Sequence, residues 1–126
     1  MSAHPRPRPL ALVDARNVLR STWPNIAQAE LVELCRRWAA EEGCDALVVF
    51  DGEAPSAPAD GRVEVVGTGP ASADDRIACQ AARLRSEGRP FWLVTSDREL
   101  RRRAGAGAEQ TIGGGTLARR LLALRS

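Results

Sequence analysis

The sequence predicts an α/β fold, a three-layer α/β/α domain with a mainly parallel central sheet. Short apolar runs alternate along the chain with stretches whose apolar residues recur at helical spacing. Strands that alternate with helices form a parallel sheet covered on both faces. The chain has 126 residues, which is enough for one such domain but not for two independent cores. We therefore expect a single domain over residues 10–126, after a Pro/Arg-rich tail over residues 1–9 that is disordered or extended.

Five short runs, most of them apolar, are the expected strands, and turn or helix signals separate them. The strands are expected at residues 10–13, 46–50, 63–66, 91–95 and 108–112. Two long helices are expected, one from the apparent capping box of Asn25 and Gln28 to Gly43, the other from that of Ser72 and Asp75 to Gly88. A short basic helix should run to Arg103, and a last helix should follow the glycines at 113–115. No helix start is evident directly after residue 14.

Aspartates follow these strands at the positions where a parallel sheet places its ligand site. Asp14, Asp51 and Asp97 come directly after an apolar strand or one residue later, and Asp74 and Asp75 open the helix after the third strand. In an open α/β sheet all of them lie at the carboxyl edge, near the switch in strand order. Carboxylates that converge there repel one another unless a cation neutralises them, and an all-oxygen ligand set favours Mg²⁺ or Mn²⁺.

Several of these acids also have a purely structural interpretation, which the sequence leaves open. Asp75 completes the capping spacing that begins at Ser72, and Asp97 is placed to be the N-cap of the basic helix. Asp51, followed by Gly52, is compatible with a simple turn. The convergence of the acids, rather than any one of them, is what predicts a metal-dependent phosphodiesterase site.

The composition excludes other classes of site. The single histidine, His4, lies in the tail, and the three cysteines have no CxxC spacing and are expected to be buried thiols, so zinc sites and histidine-based triads are excluded. All 18 basic residues are arginine, and without lysine there is no P-loop. The start of the chain lacks the apolar core of a signal peptide and no stretch is apolar enough to span a membrane, so a cytoplasmic location is expected.

Four segments together resemble a known family. The first strand and its sequel, LVDARNV at 12–18, resemble the "VDxxNV" opening of PIN-like nucleases of the NYN group. SADDRI at 72–77 resembles their "ADDRI" helix start, and VTSDRE at 94–99 their "TSDRE" strand end. VVFDG at 48–52 and VEVV at 63–66 resemble the strands between them. The order and spacing are most similar to the YacP-like branch, over roughly residues 10–112.

This resemblance implies a PIN-like, Rossmann-like domain with divalent-metal-dependent endoribonuclease activity. It implies that the metal ligands and catalytic acids are Asp14, Asp74, Asp75 and Asp97, with Asp51 a weaker candidate. It places Asn17, Ser96 and Arg98 around the RNA substrate. Arg16, Arg101 and Arg102 are further candidates for contact with the phosphates of that substrate. Family members often have a Gly-Tyr pair where this chain has Ala15-Arg16, which puts the substrate preference in doubt.

The partners remain open at this stage. RNA is the expected substrate, and the arginines at 101–103 are interpreted as a basic rim for its phosphates, although a solvated helix face explains the arginine pairs elsewhere. A homodimer through the helix at 116–125, a ribosomal context and a paired inhibitor (antitoxin) are all compatible with the resemblance. YacP-like relatives have a longer C-terminal part, so we expect any partner surface there to be reduced or absent.

Two rival functions stay in view. The first is a catalytically silent RNA-binding module of the same fold, which retention of the acids disfavours because pure binding does not need carboxylates near phosphate. The second is a phosphatase or nucleotide hydrolase. A haloacid-dehalogenase-type site requires an aspartate two residues after Asp14, where this chain has Arg16.

Overall fold

The computed structural model describes residues 7–56 and 62–125 of the chain, and all the expected strands are present. In chain order the elements are β1 (Leu10–Asp14), α1 (Ala15–Arg20), α2 (Gln28–Glu42), β2 (Asp45–Phe50), β3 (Val63–Gly67), α3 (Ala73–Glu87), β4 (Phe91–Val94), α4 (Arg98–Ala104), β5 (Gln110–Ile112) and α5 (Gly114–Ala123). Most of the expected tail and the second half of the expected loop at 52–61 lie outside the described residues.

The sheet is parallel throughout, with strand order β3-β2-β1-β4-β5. The chain moves outward from β1 to β3 on one side and then returns to place β4 on the other side of β1. The switch in strand order therefore lies between β1 and β4, where Val13 is paired with Val94. Open α/β sheets bind ligands beyond the carboxyl ends of the strands at this point, and Asp14 is the residue that ends β1.

Two apolar clusters, one on each face of the sheet, hold the three layers together. Alternate residues of each strand point to opposite faces, so that Val13 belongs to the cluster beneath α1, α2 and α5, and Leu12 to the cluster beneath α3 and α4. Strands buried on both faces read as continuous apolar runs, as the sequence of β1, β2 and β4 does. The expected α/β/α architecture is confirmed.

A short helix directly after β1 corrects one expectation. The sequence shows no evident helix start after residue 14, yet α1 begins at Ala15. Its N-cap is Asp14 itself, whose side chain accepts a hydrogen bond from the Asn17 backbone N–H. Because the strand's last residue is also the helix cap, no separate capping residue marks the boundary in the sequence.

The start of α2 corrects a second expectation. The N-cap of this helix is Ala27, which makes no side-chain capping bond, so the expected capping box of Asn25 and Gln28 is wrong. Gln28 is the first helical residue rather than the third, and a capping box requires its two members at the N-cap and at the third helical position. By contrast, the expected ends at Gly43 and Gly88 are confirmed, since both glycines adopt left-handed backbone conformations with φ of 71° and 70°.

The burial of the three cysteines agrees with the expectation only in part. Cys35 and Cys44 are buried as expected, but Cys79 is exposed. Ile77 and Ala81 of α3 point toward the core, so Cys79, midway between them, lies on the outer face of the helix.

Near the chain start, Arg8 donates to the Asp45 carboxylate at 3.1 Å, and this contact connects the segment before β1 to the start of β2. Across residues 7–56 and 62–125, no helix is both long and apolar enough to cross a membrane.

Candidate functional site

A cleft of about 290 Å³ opens at the carboxyl edge of the sheet, at the switch between β1 and β4. Five parts of the chain contribute to it: the end of β1, α1, the residue after β2, the start of α3 and the segment before α4. Its lining residues are Asp14, Arg16, Asn17, Arg20, Asp51, Ser72, Asp74 and Asp97. Four of these residues are aspartates and two are arginines, so the cleft combines an acidic interior with basic groups from α1.

Asp14 is the most constrained carboxylate of the cleft. It is only 5% exposed, and it accepts hydrogen bonds from the Thr95 hydroxyl at 2.9 Å and from the Asn17 backbone N–H at 3.4 Å. Burial raises the pKa of Asp14 above its ordinary value, the two hydrogen bonds lower it in part, and the charges of Asp74 and Asp51 raise it further. The protein therefore holds an acid where ionisation is disfavoured, an arrangement that marks functional sites.

Asp51, directly after β2, and Asp74, in the first turn of α3, also line this cleft. Burial raises the pKa of Asp74, and the neighbouring charges of Asp97 and Asp51 raise it further, while Arg103 lowers it. Asp51 accepts a hydrogen bond from the Ala73 backbone N–H at 3.0 Å, which fixes the end of β2 to the start of α3. Asp51 was the weaker candidate in the sequence, and the structure places it in the cleft.

Asp97 also lines the cleft, and Thr95 connects it to Asp14 by hydrogen bonds. Thr95, which is fully buried, donates its hydroxyl to Asp14 and accepts from the Asp97 backbone N–H at 3.1 Å. The Asp97 side chain also caps α4 by accepting from the Leu100 N–H at 2.9 Å. The expected N-cap role is therefore confirmed, and it coexists with a place in the cleft because a carboxylate has two oxygens. Thr95 was expected only as a strand residue, and its position at the end of the fourth expected strand, two residues before Asp97, was the available signal.

A second chain of hydrogen bonds holds Asn17, another residue of the cleft lining. The Asn17 side-chain oxygen accepts from the Ser96 backbone N–H at 2.8 Å, and the Ser96 hydroxyl accepts from the Gly114 N–H at 2.8 Å. These hydrogen bonds connect α1, the segment after β4 and the first turn of α5. Ser96 and Asn17 were expected beside the substrate, and the contacts described here make them positioning residues for the cleft.

Asp75 lies apart from the other acids. It follows Asp74 directly in α3, but it is not among the cleft residues described above, and its carboxylate accepts from Arg103 at 2.7 Å. Its backbone N–H donates to the Ser72 hydroxyl, the N-cap of α3. The hydrogen bond from Arg103 holds the pKa of Asp75 below its ordinary value. Consecutive helical residues point about 100° apart, and this rotation directs Asp75 away from the cleft.

The arginines of the cleft come from α1 rather than from α4. Arg16 and Arg20 are separated by one helical turn, are both exposed and both line the cleft. The sequence reasoning missed Arg20 because it missed the helix; with α1 recognised, the four-residue spacing to Arg16 would have indicated it.

The arginines expected near the substrate from α4 occupy other positions. Arg101 donates to the Thr95 carbonyl at 2.9 Å, and Arg102 forms an ion pair with Glu99 of the same helix. Neither these two nor Arg98 is among the cleft residues in the described part of the chain. Their expected role in RNA binding therefore has no support from the geometry of the cleft.

A divalent cation suits the chemistry of this cleft. Asp14 and Asp74 repel each other and are repelled by Asp51, and a cation would relieve that repulsion. Within residues 7–56 and 62–125, however, no three acidic, cysteine or histidine side chains form a ready-made metal-ligand group. Mg²⁺ is commonly held by one or two carboxylates, with water and substrate phosphate completing its shell. The carboxylates present therefore fit an ion that shares its shell with water and phosphate.

The fold and the cleft define an α/β protein with a carboxylate site at the switch in strand order, the general form of a PIN-like nuclease domain. The YacP-like NYN domain model matches residues 12–118, and the chain belongs to this nuclease family. No curated protein sequence matches the chain significantly.

The solved structures similar to this chain agree with its fold. A crystal structure of Rae1 (YacP) from Bacillus subtilis has a TM-score of 0.68 and 24% sequence identity, covering 91% of this chain and 74% of the other. A mutant form of that protein has a TM-score of 0.71 and 24% identity, covering 92% of this chain and 76% of the other. The α/β/α fold is thus found in a structure of the same family.

Proposed function

We propose that this protein is a divalent-metal-dependent endoribonuclease that hydrolyses RNA phosphodiesters in the cleft. The observation that carries the proposal is the set of four carboxylates on one cleft. Two of them, the buried Asp14 and the partly buried Asp74, have raised pKa values because of desolvation and nearby like charges. Such an arrangement lowers the stability of the folded chain unless a cation binds. Membership of a nuclease family supports the same function.

The chain's own residues would divide the work in this proposal. Asp14, Asp74 and Asp97 would hold a Mg²⁺ or Mn²⁺ ion, and Asp51, which lines the same cleft, is a further candidate ligand. When bound, the ion would polarise the phosphodiester and neutralise the charge that develops on its oxygens. Thr95 orients Asp14 and Asp97 toward the same cleft, and the hydrogen bonds from Asn17 through Ser96 to Gly114 hold Asn17 in its lining.

Metal removal is the first test. The purified protein is incubated with a mixture of structured and single-stranded RNAs in Mg²⁺, in Mn²⁺ and in EDTA, and the products are resolved on denaturing gels. We expect internal cleavage with either ion, none in EDTA, and recovery when the ion is restored. Cleavage that persists in EDTA would contradict the metal-dependent mechanism.

One observation favours a second candidate, a catalytically silent RNA-binding module. The described residues contain no ready-made three-ligand metal group. The absence of such a group is what a site that has lost its metal would show. Under this alternative RNA binds with equal affinity in EDTA and in Mg²⁺, and no RNA is cleaved. Equal RNA binding in the two conditions, measured by fluorescence anisotropy together with the cleavage assay, would favour this candidate over the nuclease.

The two arginines of α1 give a test of where the RNA backbone lies. We expect the double variant Arg16→Ala/Arg20→Ala to bind RNA more weakly and to reduce the slope of log K against log salt by about 1.4, since each phosphate contact on a single strand contributes about 0.7. The measurement is anisotropy of labelled single-stranded RNA at several salt concentrations.

The matched control for this test is Arg83→Ala/Arg120→Ala, which removes the same charge from exposed positions on α3 and α5. The control should leave the salt slope almost unchanged. Equal slopes for the two double variants would show that α1 makes no special contact with the RNA backbone.

A further inference from the structure

A second cavity, of about 520 Å³, adjoins the acidic cleft. It lies between α1, the start of α2 and the end of β2, and it shares Arg16, Arg20 and Asp51 with the cleft. Cavities of 300–1,000 Å³ are the usual size for small-molecule sites. The two cavities therefore form one continuous surface, with the α1 arginines at the boundary between them.

The new cavity has a different chemistry from the acidic cleft. Its apolar surface comes from Leu19, Ile26 and Phe50, whose side chains belong to or pack against the core on this face of the sheet. Its polar rim carries two amide side chains, Asn25 and Gln28. An apolar surface with a few polar groups at its edge is typical of a small-molecule site.

The irregular start of α2 is what makes the two amides available. Ile26 is 8% exposed and anchors the segment before the helix in the core. Asn25 makes no capping bond to α2, and Gln28 is the first residue of the helix, so both side chains lie exposed at the rim. Each amide carries both donor and acceptor groups, as does the edge of a nucleobase.

We propose that this cavity binds one nucleobase of the RNA strand, next to the phosphate that occupies the acidic cleft. The inference rests on the proposed function, and it adds a determinant of sequence preference. Arg16 and Arg20, on the boundary, are placed to contact the phosphate that joins the bound nucleoside to its neighbour. The base packs against the apolar lining of the cavity, and Asn25 and Gln28 form hydrogen bonds with its edge.

The first experiment measures sequence preference. Single-stranded RNAs with one randomised nucleotide on either side of a cleavage site are digested by the wild-type protein, and kcat/KM is obtained for each base. We expect about 10-fold discrimination at one of these positions, the size expected of a good base-edge contact. In the Asn25→Ala/Gln28→Ala variant the difference should fall to about 2-fold, while the Gln110→Ala control, exposed on β5, keeps it. An unchanged preference in the double variant would overturn the proposal.

The second experiment does not depend on cleavage. The four nucleoside 5′-monophosphates and ribose 5-phosphate are titrated into the wild-type protein in EDTA, and the side-chain amide signals of Asn25 and Gln28 are followed by ¹H–¹⁵N NMR. We expect base-dependent shifts that ribose 5-phosphate does not produce. Such shifts in a protein that cleaves no RNA would support the base site and contradict the proposed nuclease function. Cleavage without base-dependent shifts would support the nuclease function and overturn the base site.

Discussion

Replacing Asp74 by asparagine is expected to reduce RNA cleavage by about 100-fold or more and at the same time to raise the thermal stability of the protein. The loss of activity follows from removing one of the carboxylates proposed to hold the ion, whose stabilisation of the reacting phosphate is worth several kcal/mol. The gain in stability follows from the partial burial of the Asp74 carboxylate and from the like charges of Asp97 and Asp51 near it. Cleavage rate and melting temperature in EDTA are the two measurements.

The sign of the stability change can be worked out from the pKa. The pKa of Asp74 is raised in the folded chain, so its ionised form is less favourable there than in the unfolded chain. This penalty is fully present above the folded-state pKa and disappears as the pH falls below the unfolded-state value. At neutral pH, Asp74→Asn removes it. Because the side chain is partly solvated, we expect a rise of only about 1–4 °C, corresponding to less than about 1 kcal/mol.

Asp75→Asn is the matched variant, because it makes the same substitution at the next residue of α3. Asp75 is exposed and paired with Arg103 outside the cleft, and its pKa is lowered rather than raised. We therefore expect cleavage within about 3-fold of wild type and a melting temperature that does not rise. Equal loss of activity in both variants would show that Asp75 belongs to the metal site, as the family resemblance implies.

Gly114→Ala is expected to destabilise the fold by about 1–3 kcal/mol, as overpacking of a tight contact does. A Cβ atom on Gly114 would overlap the Asn17 side-chain oxygen, and it would lie 3.0 Å from the Asn17 Cγ and 3.2 Å from its backbone oxygen. The side chain of Asn17 cannot simply rotate away, since its oxygen accepts from Ser96. Urea unfolding followed by circular dichroism measures the loss, and cleavage should fall with it because the wall of the cleft moves.

Gly115→Ala is the control for this effect. The next glycine of α5 has space for a Cβ, whose nearest neighbours would be Arg119 at 3.7 Å and Ser21 at 3.8 Å. Alanine is favoured over glycine within a helix, so we expect this variant to gain about 0.5–1 kcal/mol. If Gly114→Ala were as stable as Gly115→Ala, the close contact between α1 and α5 would not constrain the cleft.

The sequence predicted the sheet and most of the acids of the cleft from local features alone. The strands at 46–50 and 91–95 are identified because strands buried on both faces must be continuously apolar. Asp14 and Asp97 are identified as site candidates because parallel strands bring their carboxyl ends to one edge, whatever the loops between them do. The metal, the RNA substrate and the roles of individual acids stay predictions.

The sequence could not predict α1, and without this helix the arginines of the cleft could not be identified correctly. The short helix has no capping motif apart from Asp14, which also ends β1, so Arg20 was not recognised as a neighbour of Arg16. The sequence instead indicated the arginines of α4 as the basic rim. Arg101 is directed to the Thr95 carbonyl, and Arg103 is directed to Asp75.

What the sequence by itself determined is the position of each acid along the chain, and so its arrival at the carboxyl edge of the sheet. What only the tertiary structure decided is which of those acids share a cleft. Asp74 and Asp75 are adjacent in sequence and equally suited to bind metal, yet one lines the cleft and the other pairs with Arg103. The reason is rotational: the docking of α3 on the sheet sets the direction of each side chain around the helix axis, and neighbouring residues of a helix point about 100° apart.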